Sequence, residues 1–530
     1  MEDYSKYFSF PIGEDQKKAF DALWNFIDSN EHNVFILNGY AGTGKTSLVG
    51  GFIKYLLKNN PIIAENIDGK GKNIPKYEIN LLASTGRAAK ILSDKSPIKA
   101  TTIHSRLYKP KFIEEDTEVI TFGLFPLKAM FPNTRIYIID EASMVGDIEN
   151  PTTSAAKFGE GNLLKDLFDF DSEGKFIFVG DPCQLPPVNQ QNSPALDAER
   201  LQKKYGKQVQ ATSLSKIHRQ QGSNNDILLA ATRIRQMWQN FQPVVTFNPQ
   251  WGAQEQFTKM PLKTYKRITM LPTEMNLLLN YVNLIRTKGY DYTTMICHSN
   301  KDCNTTAAIV RQMLHGNCRH LIEGDLLLVT KNNYLVDLVN GDLVTIKKVH
   351  AETREVKNIR IKSRLMGEKS VSISFVKVDV LPLHKRNLID TENEEENLTN
   401  DGCYSLFLIE NTLLQGKLSL DPEENSALMK DFITRMDKRG IKAPRKNKPT
   451  PQDDIFFDAL LKDPYMNALQ ATYGYALTCH KAQGGEWDEV FVNLSKSVYR
   501  MRGKNQLQWV YTSITRAKEQ LHFINNWLIC

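Results

Sequence analysis

The chain has 530 residues, of which 41% are hydrophobic and 24% are charged, the proportions of a folded globular protein. Its net charge of +7 suits a polyanionic partner without requiring one. No apolar run approaches the roughly 18 residues of a membrane span and no signal pattern opens the chain, so we expect a cytoplasmic protein that does not enter a membrane. Its seven cysteines lack paired C-x-x-C spacing, which favours reduced thiols over a zinc or iron–sulfur site.

The first predicted element is an amphipathic helix. Phe20, Leu23, Trp24 and Ile27 follow the i, i+3, i+4, i+7 spacing of a helix with one apolar face. Gln16 lies just upstream of this face. There it is placed to reach the adenine of a nucleotide held by the next segment.

Residues Gly39–Thr46 match the complete phosphate-binding pattern G-x-x-x-x-G-K-[ST]. The apolar run Val34–Leu37 predicts the strand before it, and helical spacing over Ser47–Leu57 predicts the helix after it. We therefore predict bound ATP and Mg²⁺, with Lys45 on the β and γ phosphates and Thr46 on the metal. The predicted nucleotide contacts are Gln16, Gly39, Ala41, Gly42, Thr43, Gly44, Lys45, Thr46 and Ser47.

Three further apolar runs end in polar clusters, which is typical of parallel strands covered on both faces. The runs Leu81–Ala83, Ile136–Ile139 and Phe176–Val179 lead into Ser84–Arg87, Asp140–Glu141 and Gly180–Gln184, respectively. Ligands of such sheets bind at the carboxyl ends of the strands. We therefore expect an α/β protein in which these clusters and the phosphate loop converge on one edge of a sheet.

The acidic pair predicts hydrolysis rather than nucleotide binding alone. Asp140 would hold the metal shell, and Glu141 would orient and activate the attacking water. Gln184 is placed to contact the γ-phosphate or the attacking water and to report the loss of the phosphate. Arg219 and Arg516 are candidates to stabilise the charge of the transition state, although an isolated arginine is usually a surface residue.

A second α/β set follows in the carboxyl-terminal half. Its predicted strands are Thr294–His298, Glu489–Leu494 and Gln520–Ile524. Between the first two, short β-type runs over 324–383 are separated by Asn-Gly and charged turns, which predicts a small inserted β-barrel. A helix is expected near 423–435, between charged loops.

Taken in order, these motifs resemble the motif set of superfamily 1 helicases, most closely the RecD/Dda branch of subtype B, which moves 5′ to 3′. The segments that carry the resemblance are Gly39–Thr46, Ala83–Lys90, Thr101–His104, Asp140–Ser143, Gly180–Pro187, Leu214–Gln220, Thr478–Gly484 and Tyr511–Lys518. The resemblance touches most of residues 10–345 and 466–526, and it is thin over 350–465.

The resemblance implies two RecA-like lobes that close on ATP. The implied domains are a first lobe (1–106 and 128–212), a β-hairpin wedge (107–127), a second lobe (213–335 and 466–530) and an SH3-like β insertion with a linker and helical segment (336–465). The implied catalytic residues are Lys45, Glu141, Gln184, Arg219 and Arg516. The implied contacts to single-stranded DNA are Thr85, Thr102, His104, Thr478 and His480.

Aromatic residues of the 107–127 segment offer faces on which bases could stack. Tyr108 and Phe112 are the predicted DNA contacts among them. The alternative, that these rings pack the hairpin against the lobe, stays open at this point.

The function implied is an ATP-dependent 5′-to-3′ DNA helicase that works as a monomer on single strands and on junctions with duplex, with single-strand-binding or replication proteins as candidate partners. A bacterial or phage-infected cytoplasm is the expected location. An ATPase that remodels RNA or protein–DNA complexes is the alternative, and a P-loop kinase or non-motor binding module is a third reading. Replication, recombination and repair are not distinguished.

Overall fold

The computed structural model describes most of the chain, in segments separated by short gaps. The described residues are 4–8, 11–64, 74–113, 119–127, 133–148, 156–159, 161–216, 226–243, 245–248, 252–255, 258–363, 367–383, 397–399, 401–446, 452–494, 501, 503–526 and 528–530. Arg219, one of the predicted catalytic residues, lies outside the described residues, and so does the tip of the predicted wedge at 114–118.

Strands and helices alternate through the amino-terminal part of the chain. The strands are Val34–Gly39 (β1), Ile62–Ala64 (β2), Ile74–Pro75 (β3), Tyr77–Ala83 (β4), Thr101–Thr102 (β5), Tyr108–Ile113 (β6), Ile120–Leu124 (β7), Thr134–Asp140 (β8), Ala156–Phe158 (β9), Lys175–Gly180 (β10) and Val209–Leu214 (β11). The helices are Glu14–Asp28 (α1), Lys45–Lys58 (α2), Gly86–Lys95 (α3), Ile103–Leu107 (α4), Leu163–Phe170 (α5) and Ala198–Tyr205 (α6).

The remainder of the chain continues the α/β pattern around a β-rich middle. Its strands are Val245–Asn248 (β12), Gly252–Glu255 (β13), Ile268–Leu271 (β14), Thr293–Cys297 (β15), Leu326–Val329 (β16), Leu343–Ser363 (β17), Gly367–Pro382 (β18), Tyr404–Ile409 (β19), Ala471–Tyr473 (β20), Leu477–Thr478 (β21), Trp487–Val492 (β22) and Ala517–Ile524 (β23). Its helices are Asp226–Gln239 (α7), Glu274–Lys288 (α8), Asn300–His315 (α9), Glu410–Gln415 (α10), Pro422–Asp437 (α11), Asp453–Lys462 (α12), Cys479–Ala482 (α13) and Gly503–Ile514 (α14).

The first lobe is built on a parallel sheet with the strand order β11-β1-β10-β8-β4-β5. Phe35 and Leu37 pack into a core on one face, while Val34 and Ile36 pack into a core on the other. This two-sided burial is what a continuous apolar run predicts. Ala83 pairs with Asp140, so β4 and β8 end side by side at the predicted edge.

The second lobe is built on another parallel sheet, with the order β14-β23-β22-β15-β21. Every residue of β15 is buried. Cys297 at the end of this strand pairs with Thr478 at the end of β21. The polar residues that follow these two strands therefore lie at the same edge of the sheet. The predicted α/β class with parallel sheets is confirmed.

An antiparallel sheet with the order β19-β18-β17-β16-β20 lies between β15 and β21 in the chain. Strands β17 and β18 have 21 and 16 residues, so this region is not the series of short strands that its sequence predicts. Register shifts at Ile346/Lys348 and His350/Glu355 let the pairing continue past the charged residues that look like turns. Leu326–Val329 belongs to this sheet, which therefore begins before residue 336.

Strands β6 and β7 form an antiparallel hairpin, and β9 joins it in parallel to β7. The rings of Phe122 and Phe158 stack with centroids 4.7 Å apart, which ties β9 to the hairpin. Beyond them, Ile113 is fully buried in an apolar cluster that also contains Phe432 of α11. The hairpin therefore packs on the first lobe at one end and shares a core with the helical part of 336–465 at the other.

Within the described segments, no helix is both long enough and apolar enough to cross a membrane. All seven cysteines have free thiols.

Candidate active site and nucleic-acid interface

The phosphate loop connects the end of β1 to the start of α2. Gly42 and Gly44 have φ angles of 80° and 81°, which lie in the left-handed region that favours glycine. A Cβ atom added to Gly39 would lie 2.7 Å from the Thr43 hydroxyl, so the loop needs glycine there for space. The chain conformation thus explains each glycine of the motif and bends the backbone into a cradle of the shape that binds phosphate.

Two side chains of the predicted nucleotide site are held by loop carbonyl groups. Lys45 Nζ donates to the carbonyl oxygens of Gly39 and Tyr40 over 2.6 and 3.3 Å. Gln16 is 1% exposed and its Nε2 donates to the Thr43 carbonyl over 3.2 Å. Both groups therefore lie at the loop from which a nucleotide would be held.

The acidic pair lies directly opposite the loop. Thr46 Oγ1 donates to Asp140 Oδ2 over 3.4 Å. Burial, reinforced by the neighbouring charge of Glu141, raises the pKa of Asp140 to about 6. A hydroxyl and a desolvated carboxylate form the hard oxygen set that Mg²⁺ prefers, so Thr46 and Asp140 fit the predicted metal. Glu141 follows with φ at 50°, a backbone conformation that turns the chain at the strand end.

Gln184 connects the first lobe to the second. Its side chain is 4% exposed, and its Oε1 accepts a hydrogen bond from Gln483 Nε2 over 3.4 Å. Its carbonyl accepts from Gln508 Nε2 over 3.1 Å. A movement of Gln184 would therefore alter its hydrogen bonds to two segments of the second lobe, at Gln483 and at Gln508.

Arg516 follows the last turn of α14 and is 5% exposed. Its guanidinium donates to the carbonyls of Thr512 and Gly485 over 3.0 and 3.2 Å, and to the Thr515 hydroxyl over 3.0 Å. These bonds fix the direction of the side chain. A held guanidinium is better prepared to stabilise a phosphoryl group than a mobile one.

A cavity of about 1320 Å³ brings most of the predicted nucleotide-site residues together. Its lining includes Gln16, Ala41, Gly42, Gly44, Lys45, Thr46, Ser47, Asp140, Glu141 and Gln184 from the first lobe, and Arg516 from the second. Thr43 is fully buried with its hydroxyl on the Tyr40 carbonyl, so it supports the loop from within.

The three predicted DNA-contacting threonines share one local geometry. Thr85, Thr102 and Thr478 each follow or end a strand and cap the next helix, and their hydroxyls accept from Ala88 N, Ser105 N and Lys481 N, respectively. Helix capping is the structural role that such residues have without DNA. Because the strands are parallel, the two caps of the first lobe lie on the same edge of its sheet.

The two predicted DNA-contacting histidines lie in or at the start of these capped helices, in α4 and α13. Burial lowers the pKa of both His104 and His480 below the ordinary value, so both are neutral at pH 7. The His104 ring lies edge-on to Phe158 at 5.3 Å. A neutral imidazole can donate one hydrogen bond to a phosphate oxygen but brings no positive charge.

Tyr108 is placed for packing rather than for stacking on a base. It is 6% exposed, and its hydroxyl donates to Asp166 Oδ2 over 2.6 Å. The partner lies in α5, which no pattern in the sequence connects with the hairpin. Phe112, two strand positions beyond Pro110, remains half-buried. The burial of Tyr108 favours the packing alternative at that residue, and Phe112 stays a predicted base contact.

Residues without a predicted role also meet at the cleft. Tyr511 of α14 contacts both the phosphate loop and Asp181. The Arg87 guanidinium lies 4.7 Å from the Trp487 ring centre, across the lobes. Both residues stand inside or beside motif segments, so their positions were visible in the sequence, but nothing there indicated which residues they would touch.

Comparisons with known proteins agree with this geometry. A family model described as an AAA domain matches residues 12–239, and one described as a UvrD-like helicase C-terminal domain matches residues 473–524. The ATP-dependent DNA helicase Dda of enterobacteria phage T4 is 23% identical, over 97% of this chain and 99% of its own. An uncharacterised protein of Acanthamoeba polyphaga mimivirus, R530, is 22% identical over 96% of this chain and 99% of its own.

Among solved structures, a Pif1 helicase from Bacteroides in complex with ADP-AlF3 and single-stranded DNA is 16% identical. It covers 98% of this chain and 95% of its own, with a TM-score of 0.42. The ordered motifs, the cavity between the two parallel-sheet lobes and the two family matches agree on one assignment. On these grounds the chain is similar to the superfamily 1 helicases, and it is related to the Dda helicase along nearly its whole length.

Proposed function

We propose that the chain is an ATP-dependent DNA helicase that moves 5′ to 3′ along single-stranded DNA and separates duplex ahead of it. The observation that carries this proposal is the shared cavity, to which the first lobe contributes Lys45 and Glu141 and the second contributes Arg516. A site divided between two lobes changes shape when they close. Hydrolysis can thereby be converted into relative movement of the lobes.

In this mechanism ATP binds in the cradle of the phosphate loop. Lys45 leaves its carbonyl partners to bind the β and γ phosphates, while Glu141 orients a water and accepts its proton. Gln184 and Arg516 stabilise the developing charge on the transferred group. Thr46 and Asp140 would hold Mg²⁺, which neutralises phosphate charge when bound. Arg219 remains a proposed second arginine for this site.

The DNA strand is proposed to cross both lobes over the capped helices. Thr85 and Thr102 would bind phosphate oxygens on the first lobe, and Thr478 on the second. Phosphate contacts carry no sequence information, so a motor built on them can travel along any sequence. His104 and His480 would add neutral donors on the same track.

The β6–β7 hairpin is the proposed wedge at the junction with duplex. Its support on two sides, through Phe158 on the first lobe and the Ile113 cluster on the insertion, suits an element that must resist base pairs. The antiparallel sheet is the proposed SH3-like insertion. The lobe boundaries belong to the same proposal, with the insertion extended to include Leu326–Val329 and Ala471–Tyr473 of its sheet. A monomeric motor, a cytoplasmic location and replication or single-strand-binding partners belong to it as well.

A strand-displacement assay tests this function. Duplexes with a 5′ tail, a 3′ tail or a 5′ RNA tail are incubated with ATP and Mg²⁺, with Glu141→Gln as the inactive control. We expect separation from the 5′ DNA tail only. Efficient separation from a 3′ tail alone would refute the polarity, and ATP hydrolysis without any separation would favour a remodelling ATPase.

A further inference from the structure

The hydroxyl of Tyr511 joins the second lobe to two segments of the first. It accepts a hydrogen bond from the backbone N–H of Ala41, in the phosphate loop, over 2.9 Å. It donates to Asp181 Oδ2 over 2.7 Å. Burial raises the pKa of this 1%-exposed tyrosine, so the hydroxyl keeps the proton that it donates.

Tyr511 and Arg516 belong to one hydrogen-bonded turn at the end of α14. The N–H of Thr515 donates to the Tyr511 carbonyl over 3.1 Å. The Nε of Arg516 donates to the carbonyl of Thr512 over 3.0 Å. Because a packed helical turn moves as a unit, a displacement of Tyr511 also moves the base on which the Arg516 guanidinium is held.

Ala41, the partner of the Tyr511 hydroxyl, lies in the part of the phosphate loop whose hydrogen bonds must change when a nucleotide binds. Lys45 Nζ is hydrogen-bonded to the carbonyls of Gly39 and Tyr40. These bonds must break when the ammonium turns to phosphate, and Ala41 is the next residue along the chain. The Tyr511 hydroxyl therefore holds the segment at the point where nucleotide binding alters it.

We propose that Tyr511 is a positioning residue for ATP hydrolysis, which fixes the last turn of α14 against the phosphate loop and so sets Arg516 at the γ-phosphate. The inference deepens the proposed function and rests on it. Tyr511 acts through Arg516, because its hydroxyl is already satisfied on both sides by protein groups.

A second contact explains why the lobes should stay together without this hydroxyl. The Arg235 guanidinium of α7 lies 4.1 Å from the ring centre of Tyr40, and Gln239 Nε2 donates to the Tyr40 hydroxyl over 2.6 Å. The second lobe thus holds the loop from α7 as well as from α14. Loss of the Tyr511 hydroxyl should therefore shift the position of the Arg516 guanidinium and leave the contact between the two lobes in place.

The test is Tyr511→Phe, which keeps the buried ring and removes only the hydroxyl. We expect kcat for ATP in saturating single-stranded DNA to fall about tenfold, with KM for ATP and DNA affinity without nucleotide unchanged within about twofold. Tyr281→Phe is the matched control, because this buried hydroxyl of the same lobe donates to the Tyr475 carbonyl, over 2.9 Å, and not to the phosphate loop. The control should lose a similar amount of thermal stability and keep the parental kcat.

A double variant separates positioning from general support. If Tyr511 acts only through Arg516, Tyr511→Phe should cost nothing further in an Arg516→Ala background. A loss that adds fully in that background, or a parental rate in Tyr511→Phe, would overturn the inference.

Asp181→Asn provides an independent variant, since it keeps an acceptor oxygen but removes the charge that strengthens the hydrogen bond. We expect a smaller loss of kcat in the same direction. Should Tyr511→Phe not fold, an unchanged kcat in Asp181→Asn would overturn the inference. A parent without DNA-stimulated ATPase would refute the proposed function itself, which is a distinct result.

Discussion

Thr46 and Asp140 lie in hydrogen-bond contact, 3.4 Å apart, although 94 residues separate them in the chain. The contact brings the end of the phosphate loop to the end of strand β8, so the acidic pair faces the place where phosphates bind. It also leaves Glu141, one residue further, on the wall of the same cavity. The phosphate loop follows β1 and Glu141 follows β8, and both strands pair with β10. The sheet therefore sets the position of Glu141 relative to the loop.

Glu141→Gln should keep nucleotide binding and lose turnover by about a hundredfold or more, because the amide cannot accept a proton from water while Lys45 and the loop amides are intact. Equilibrium binding of a fluorescent ATP analogue and steady-state phosphate release give the two quantities. Lys45→Ala is the contrasting variant and should weaken binding itself. Near-parental turnover in Glu141→Gln would remove this residue from its role.

Arg516→Ala should abolish most of the DNA-stimulated ATPase, by about a thousandfold if this side chain acts as an arginine finger. Binding of single-stranded DNA without nucleotide should persist, since Arg516 bonds only to its own lobe. Arg286→Ala is the matched control, because this exposed arginine of the same lobe donates to the Met313 carbonyl, away from the motif segments. Equal stimulated rates in Arg516→Ala and the control would contradict the assignment.

The convergence of the site was predictable because parallel strands end on one edge. Apolar runs identified β4, β8 and β10, and part of each polar cluster at their ends lines the cavity, namely Gly86, Arg87, Asp140, Glu141 and Gln184. The contacts between distant segments were not predictable. The Ala41–Tyr511 bond spans 470 residues, and the bond from Tyr108 to Asp166 buries a ring that the hairpin sequence presents as available for DNA. Local patterns carry no information on which distant side chain completes a hydrogen bond.

The prediction of short strands over 324–383 was wrong for a related reason. The charged residues of β17 indicate turns when taken alone, but the partner strand β18 and two register shifts keep them in a ladder. Pairing with a neighbour outweighed local propensity there.

A substitution at Thr85 can separate the capping role from the DNA role. Thr85→Asp and Thr85→Asn both preserve an acceptor for the Ala88 N–H, so both should cap α3 and keep the melting temperature. Only aspartate places a negative charge against a DNA phosphate. We expect Thr85→Asp to bind single-stranded DNA about tenfold more weakly than Thr85→Asn, measured by fluorescence anisotropy. Thr273→Asp, at the cap of α8, is the positional control and should bind normally. Equal affinities of the two Thr85 variants would exclude contact there.

The hairpin can be loosened where it meets the insertion. Ile113 is fully buried, and its backbone N–H donates to the Pro444 carbonyl over 2.8 Å. Ile113→Ala removes apolar contact of a kind that typically contributes about 2–5 kcal/mol, and it leaves the nucleotide cavity untouched. We expect DNA-stimulated ATPase within about twofold of the parent and unwinding from a 5′ tail reduced about tenfold, because a hairpin without support bends instead of splitting base pairs. Val371→Ala, in the same apolar cluster but on β18, controls for weakening of the cluster alone. Parallel losses of ATPase and unwinding in Ile113→Ala would show that the Ile113 contact supports the motor. Normal unwinding would mean that the hairpin is not the wedge, and it would leave the motor assignment intact.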